Sequence, residues 1–230
     1  MNLITAAATL VALVFAGAVF ERFRYQQAKH LFFWALGAFL FGVGALAETI
    51  LSVGYSPLAL KVWYLTGAML TAPWLGQGTV NLLLRKRGVA TTLTALLFML
   101  SLFAFELLRA APLTDVVYAP STAVHVQYRG LLVRNGVIVF LTILLNIYGT
   151  LTLGGGALYS AYLFWRKQIL AHRVRGNVLI AFGAILPASG GVSILARVVD
   201  WHSWSLLLGV ILLYAGYVQA TRKMVTTPGA

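Results

Sequence analysis

Residues 31–53 read LFFWALGAFLFGVGALAETILSV, and Glu48 is the one ionisable side chain among them. A run of this length and apolarity is what an α-helix needs to cross bilayer hydrocarbon, about 20 residues. The same pattern recurs on both sides. It predicts helices over 3–20, 31–53, 60–84, 89–108, 136–165, 177–199 and 204–221. The breaks between them are polar. Gly54-Tyr55-Ser56-Pro57 is a tight turn, Arg85-Lys86-Arg87-Gly88 is a basic stop, and Asp200-Trp201-His202 is a short turn. The segment 110–134, with Pro112 and Pro120, is too long for a hairpin and reads as an ordered cap or a short surface helix. The fold class implied is all-α: one domain over 1–230, a polytopic bundle of seven transmembrane helices.

Composition agrees with that reading. The chain has 230 residues, 60% of them hydrophobic and only 10% charged, against about a quarter in a soluble domain. The net charge of +12 belongs to loops facing anionic lipid, not to a nucleic-acid module. No cysteine is present, which excludes disulfides, thiolate metal sites and thiol nucleophiles. The first apolar run lacks a basic leader and ends in Phe20-Glu21-Arg22-Phe23-Arg24, so it reads as a retained helix. Twelve Lys and Arg residues follow helices one, three, five and seven, and five lie on the other side. That bias predicts an outer N-terminus and a cytoplasmic C-terminus.

Membrane helices pack through small residues, so small-residue stripes predict inward faces. Helix two carries Ala35, Ala38, Gly42, Ala45 and Thr49, with Glu48 and Ser52 beside them. Helix three carries Lys61, Tyr64, Gly67, Thr71, Trp74, Gly78 and Asn81 at helical spacing, with Pro73 as a kink. Helix five offers Thr142, Asn146, Thr150 and Gly154, with a bend at Gly154-Gly155-Gly156. Helix six offers Gly190, Ser193 and Arg197, with Pro187 inside. These stripes predict a ligand pocket in the outer half, lined by Tyr64, Thr71, Trp74 and Asn146, with Glu48 and Arg197 at its rim. An ionisable group within a span marks a functional site by default, though it also serves simply to pair helices. Arg197 is the expected partner of Glu48. Trp74 is either a pocket wall or ordinary packing. Lys61 reads as an interface snorkeller, and Glu106 with Arg109 as a local surface pair.

Several chemistries find no support. The last two helices have no interior lysine for a retinal Schiff base. His30, His125, His172 and His202 all fall near helix ends, which disfavours a buried bis-histidine haem. The five acids and four histidines look scattered, and Asp200-x-His202 alone is too short of ligands for a metal site. The glycine run lacks a phosphate-loop lysine. No catalytic constellation, cofactor or metal site is expected.

The stretch 33–76 reads FWALGAFLFGVGALAETI, a short turn, then KVWYLTGAMLTAPWLG. It resembles the seven-helix sensor region of some bacterial histidine kinases and cyclic-dinucleotide enzymes. There a second helix ends near an acidic residue, and a third opens on an aromatic pair and carries a mid-helix proline. Glu48, Trp63-Tyr64 and Pro73 match those features. No kinase or cyclase domain follows helix seven in this chain, so the resemblance implies a free-standing module that signals through a separate cytoplasmic partner. The expected function is a receptor-like or sensor-like membrane protein binding a small or lipid-like ligand. A small transporter or channel, and an accessory subunit of a larger membrane complex, are the alternatives.

Overall fold

The computed structural model describes residues 2–84, 86, 88–120, 122–167, 171–193 and 201–221, without the side chains of 171 and 188–193. Asn2 caps α1 (Leu3–Gln26), its side-chain oxygen accepting from the amides of Ile4 and Thr5. The helix runs past its apolar stretch to Gln27, whose φ of 50° turns the chain out of the helix. After α2 (Lys29–Leu51), Ser56 caps α3 and Pro57 occupies its first turn. This third helix spans 57–83 in three parts: Pro57–Val62, a wider π-helical stretch over Trp63–Leu70, and Thr71–Leu83. Next come α4 (Val89–Ala110) and a short α5 (Val124–Leu131), the latter tied back by a single Leu113–Leu132 bridge. A long α6 (Gly136–Arg166) carries its own π-helical stretch over Leu151–Gly155, at the glycine run. The last two helices are α7 (Ala171–Ser193) and α8 (Trp201–Thr221). Each begins earlier than the apolar pattern indicates.

The architecture is all-helical. Among the described residues, five helices are long and apolar enough to cross a membrane: α1, α2, α4, α6 and α8. Six helices close a ring in the spatial order α1, α2, α3, α6, α7, α8, and α4 packs on the outside of α3. Glycines allow the tightest approaches. A Cβ on Gly149 of α6 would stand 2.4 Å from the backbone carbon of Ala72 in α3. Between α7 and α8, a Cβ on Gly216 would stand 2.6 Å from the carbonyl of Gly176, and one on Gly183 would stand 2.7 Å from the amide of Leu213.

The π-helical stretch in α3 has a consequence for the faces of that helix. The amide of Thr71 donates to the carbonyl of Thr66, five residues back. The wider turn shifts the phase of everything after it by one residue, about 100°. The stripe predicted along α3 therefore divides. Tyr64, Gly67 and Thr71 face the ring interior, whereas Trp74 and Gly78 do not.

In the same i→i−5 register, residue 73 would serve the carbonyl of Ala68, and Pro73 has no N–H to give. Asn146 Nδ2 of α6 donates to that carbonyl instead, at 2.7 Å. An unsatisfied carbonyl in an apolar interior is costly. Asn146→Leu is expected to lower stability by about 1–3 kcal/mol, read as a fall in Tm of the detergent-solubilised protein.

Candidate functional site

One end of the bundle is built from side chains joining distant segments. The backbone N–H of Asn2 donates to Ser52 Oγ at 2.8 Å, and its Nδ2 donates to Ser203 Oγ at 3.0 Å. These bonds join the start of α1, the end of α2 and the start of α8. Lys61 Nζ donates to the carbonyl of Arg109 at the end of α4, and Arg109 pairs with Glu106 at 2.8 Å on the surface. The segment between α4 and α6 folds over this end. Tyr118 donates to the carbonyl of Leu51 at 2.6 Å. Burial, and behind it the charge of Glu48, push the Tyr118 phenol above its usual pKa.

Beneath this cap lies a cavity of about 480 Å³, within the range of small-molecule sites. Its walls come from α2, α3, α5, α6, α7 and α8. Of the residues expected to form a pocket, Glu48, Tyr64, Thr71 and Asn146 line it. Trp74 is placed elsewhere. Its indole N–H donates to Ser101 Oγ of α4 at 3.2 Å, and its ring stacks on Phe33. The phase shift in α3 turns it outward, so Trp74 is packing and not pocket wall. Arg197 lies outside the described residues, as does Asp200. The side chains of Gly190 and Ser193 are likewise not described.

At the capped end of the cavity stands Glu48, only 4% exposed. Trp63 Nε1 donates to its Oε2 at 3.1 Å. Two histidines complete its surroundings. His125 Nδ1 lies 3.9 Å from Oε1, and His202 Nε2 lies 3.8 Å from Oε2. The imidazole rings face each other with centroids 4.0 Å apart. Neither nitrogen–oxygen gap is short enough for a hydrogen bond. His125 Nδ1 and both ring nitrogens of His202 are buried without a hydrogen-bond partner. One donor atom from each of the three residues lies within 4.8 Å of the other two. The acids and histidines that look scattered along the chain are here gathered: three of them meet at one point.

A second feature lies along the same cavity. Arg134 stacks over the Tyr128 ring at 4.8 Å, and its Nη1 reaches Tyr64 OH at 3.5 Å. The Tyr64 hydroxyl also shares a hydrogen bond with Thr142 Oγ1 at 3.2 Å. Arg134 Nε is buried and unpartnered. Arg129 and Thr150 also line the cavity, and most of the remaining walls, with Phe41, Leu75, Leu153, Pro187, Leu206 and Leu213, are apolar. The cavity thus joins an acid–imidazole end and a guanidinium to an apolar body.

Sequence reading missed His125, His202, Tyr128 and Arg134. They lie in α5, in the first turn of α8 and in the loop before α6, where no periodic stripe marks an inward face. The available signal was positional: His125, His202 and Glu48 all fall at the same end of the bundle. Compared with family models, with curated proteins and with solved structures, the chain matches none.

Proposed function

We propose that this chain is a sensor-like or receptor-like membrane protein that binds a small amphipathic or lipid-like ligand inside the helix ring. The carrying observation is the cavity, which combines polar groups at its capped end with apolar walls deeper in the ring. In this reading α3 and α7 join the five apolar helices to make seven spans. The Lys and Arg bias puts the capped end outside and the basic loops at the cytoplasmic face of a bacterial inner membrane. A ligand with an anionic head would meet Arg134, with its tail between α6 and the α7–α8 pair. In this reading α7, which carries Pro187 packed against Gly209 of α8, would pass ligand occupancy to a cytoplasmic partner.

Gly67 supplies the test. A Cβ built there meets nothing closer than 3.7 Å, and Gly67 lines the cavity. Gly67→Phe is expected to keep the fold and to weaken binding of cis-parinaric acid, a fluorescent fatty acid, at least about tenfold, a loss of roughly 1.4 kcal/mol. Equal binding by the wild type and the folded variant would place the ligand elsewhere. Parinarate uptake by proteoliposomes would favour a transporter over a sensor.

A further inference from the structure

We propose that Glu48, His125 and His202 form a binding site for a divalent transition-metal ion of the zinc type. The site goes beyond the ligand reading and does not depend on it, since it rests on three side chains at one end of the cavity.

Two imidazoles and one carboxylate are the donor set of many three-ligand zinc sites, and of other borderline divalent metals. The three donor atoms lie within 4.8 Å of one another, close enough for side-chain rotation to bring them onto one ion. Zinc–nitrogen and zinc–oxygen bonds of about 2.0–2.2 Å put neighbouring donors of a tetrahedron roughly 3.3 Å apart. His125 Nδ1 and His202 Nε2 stand 3.9 and 3.8 Å from the two oxygens of Glu48. Without an ion the arrangement is costly: buried imidazole nitrogens go unpartnered, and they surround a carboxylate they do not hydrogen-bond. An ion at the centre satisfies the three donors together.

The surroundings suit a site with one open position. Trp63 Nε1 donates to Glu48 Oε2 and so orients the carboxylate from outside the donor set. All three donor residues line the cavity, so a fourth position would face its interior. A cavity ligand carrying a carboxylate or another oxygen donor would then coordinate the ion directly. The donors come from α2, α5 and α8, so an ion here would tie the capping segment to the two helices that flank α1.

The experiment uses the full-length protein in detergent, stripped with EDTA and titrated with Co²⁺. Visible absorption reports the coordination, and elemental analysis after Zn²⁺ loading reports the stoichiometry. The expected result is one ion per chain, with cobalt bands of a nitrogen- and oxygen-ligated, four- or five-coordinate ion. Glu48→Gln and His202→Gln should each weaken binding by more than the roughly 10- to 100-fold that loss of an outer partner costs, and Trp63→Phe should fall within that range. His30→Ala with His172→Ala should change nothing. Wild-type protein that binds no stoichiometric ion would overturn the proposal. So would binding that survives Glu48→Gln and His202→Gln in folded protein, or that disappears with His30 and His172. Parinarate binding is read separately, so metal without parinarate fails only the ligand reading, and parinarate without metal fails only this one.

Discussion

Gly216→Val is expected to cost about 3 kcal/mol or more and to leave little folded protein after detergent extraction. Gly216 of α8 faces Gly176 of α7 so closely that a Cβ would stand 2.6 Å from the Gly176 carbonyl and 2.8 Å from the amide of Ile180. Those are backbone atoms of a helix and cannot step aside as a flexible side chain can. Seven residues later in α7 and seven earlier in α8, Gly183 and Gly209 form the second close approach of the same seam. Valine at 216 would therefore lever α8 away from α7 along its length and disturb His202 at its far end. Gly17→Ala is the control. Nothing lies within 4 Å of a Cβ there, so alanine should stabilise α1 by about 0.5–1 kcal/mol. Thermal unfolding monitored by size-exclusion chromatography compares the two. A Gly216→Val protein that melts with the wild type would mean that the α7–α8 seam is not packed this closely.

Gln77→Leu should be nearly as damaging, at about 2–4 kcal/mol, because it strands several polar groups at once. Gln77 is fully buried. Its Nε2 donates to Thr94 Oγ1 at 2.7 Å and to the carbonyl of Ala90 at 3.1 Å, both in α4. Its Oε1 accepts from the Tyr148 hydroxyl of α6. One side chain thus holds three helices together where apolar burial drives little association. Leucine matches its volume and none of its bonds. Pairing the change with Tyr148→Phe removes the stranded hydroxyl, so the double variant should recover part of the loss. A double variant as unstable as the sum of the singles would show that Gln77 and Tyr148 act independently.

Five of the apolar helices were legible because bilayer thickness writes itself into apolar run length. Their ends were not, because a helix continues for as long as its backbone bonds and caps permit. The apolar run of α1 stops at Phe20, yet the helix goes on until Gln27 adopts a left-handed conformation. Half of the site was legible for a similar reason: Glu48, Tyr64, Thr71 and Asn146 lie on regular inward faces. Trp74 was misplaced because a constant helical period was carried through a turn that holds one extra residue. His125 and His202 carried only a positional signal, because long-range folding, and no local period, brings α5 and the start of α8 to Glu48. Gln77 gave no sign. A lone glutamine within an apolar run looks the same whether it faces a cavity or bolts three helices together.

The distance along the chain between Glu48 and its histidines sets a schedule for biosynthesis. His202 leaves the ribosome more than 150 residues after Glu48. At about 5–20 residues per second that delay is roughly 8–30 s. Throughout it, an acidic side chain sits in a half-made bundle without the groups that finally surround it. Trp63 arrives first, on the next helix, and its indole N–H is the earliest partner available to the carboxylate. The Glu48–Trp63 bond is then a chaperone of sorts carried within the first hairpin. It holds the carboxylate in position until the last helix closes the ring.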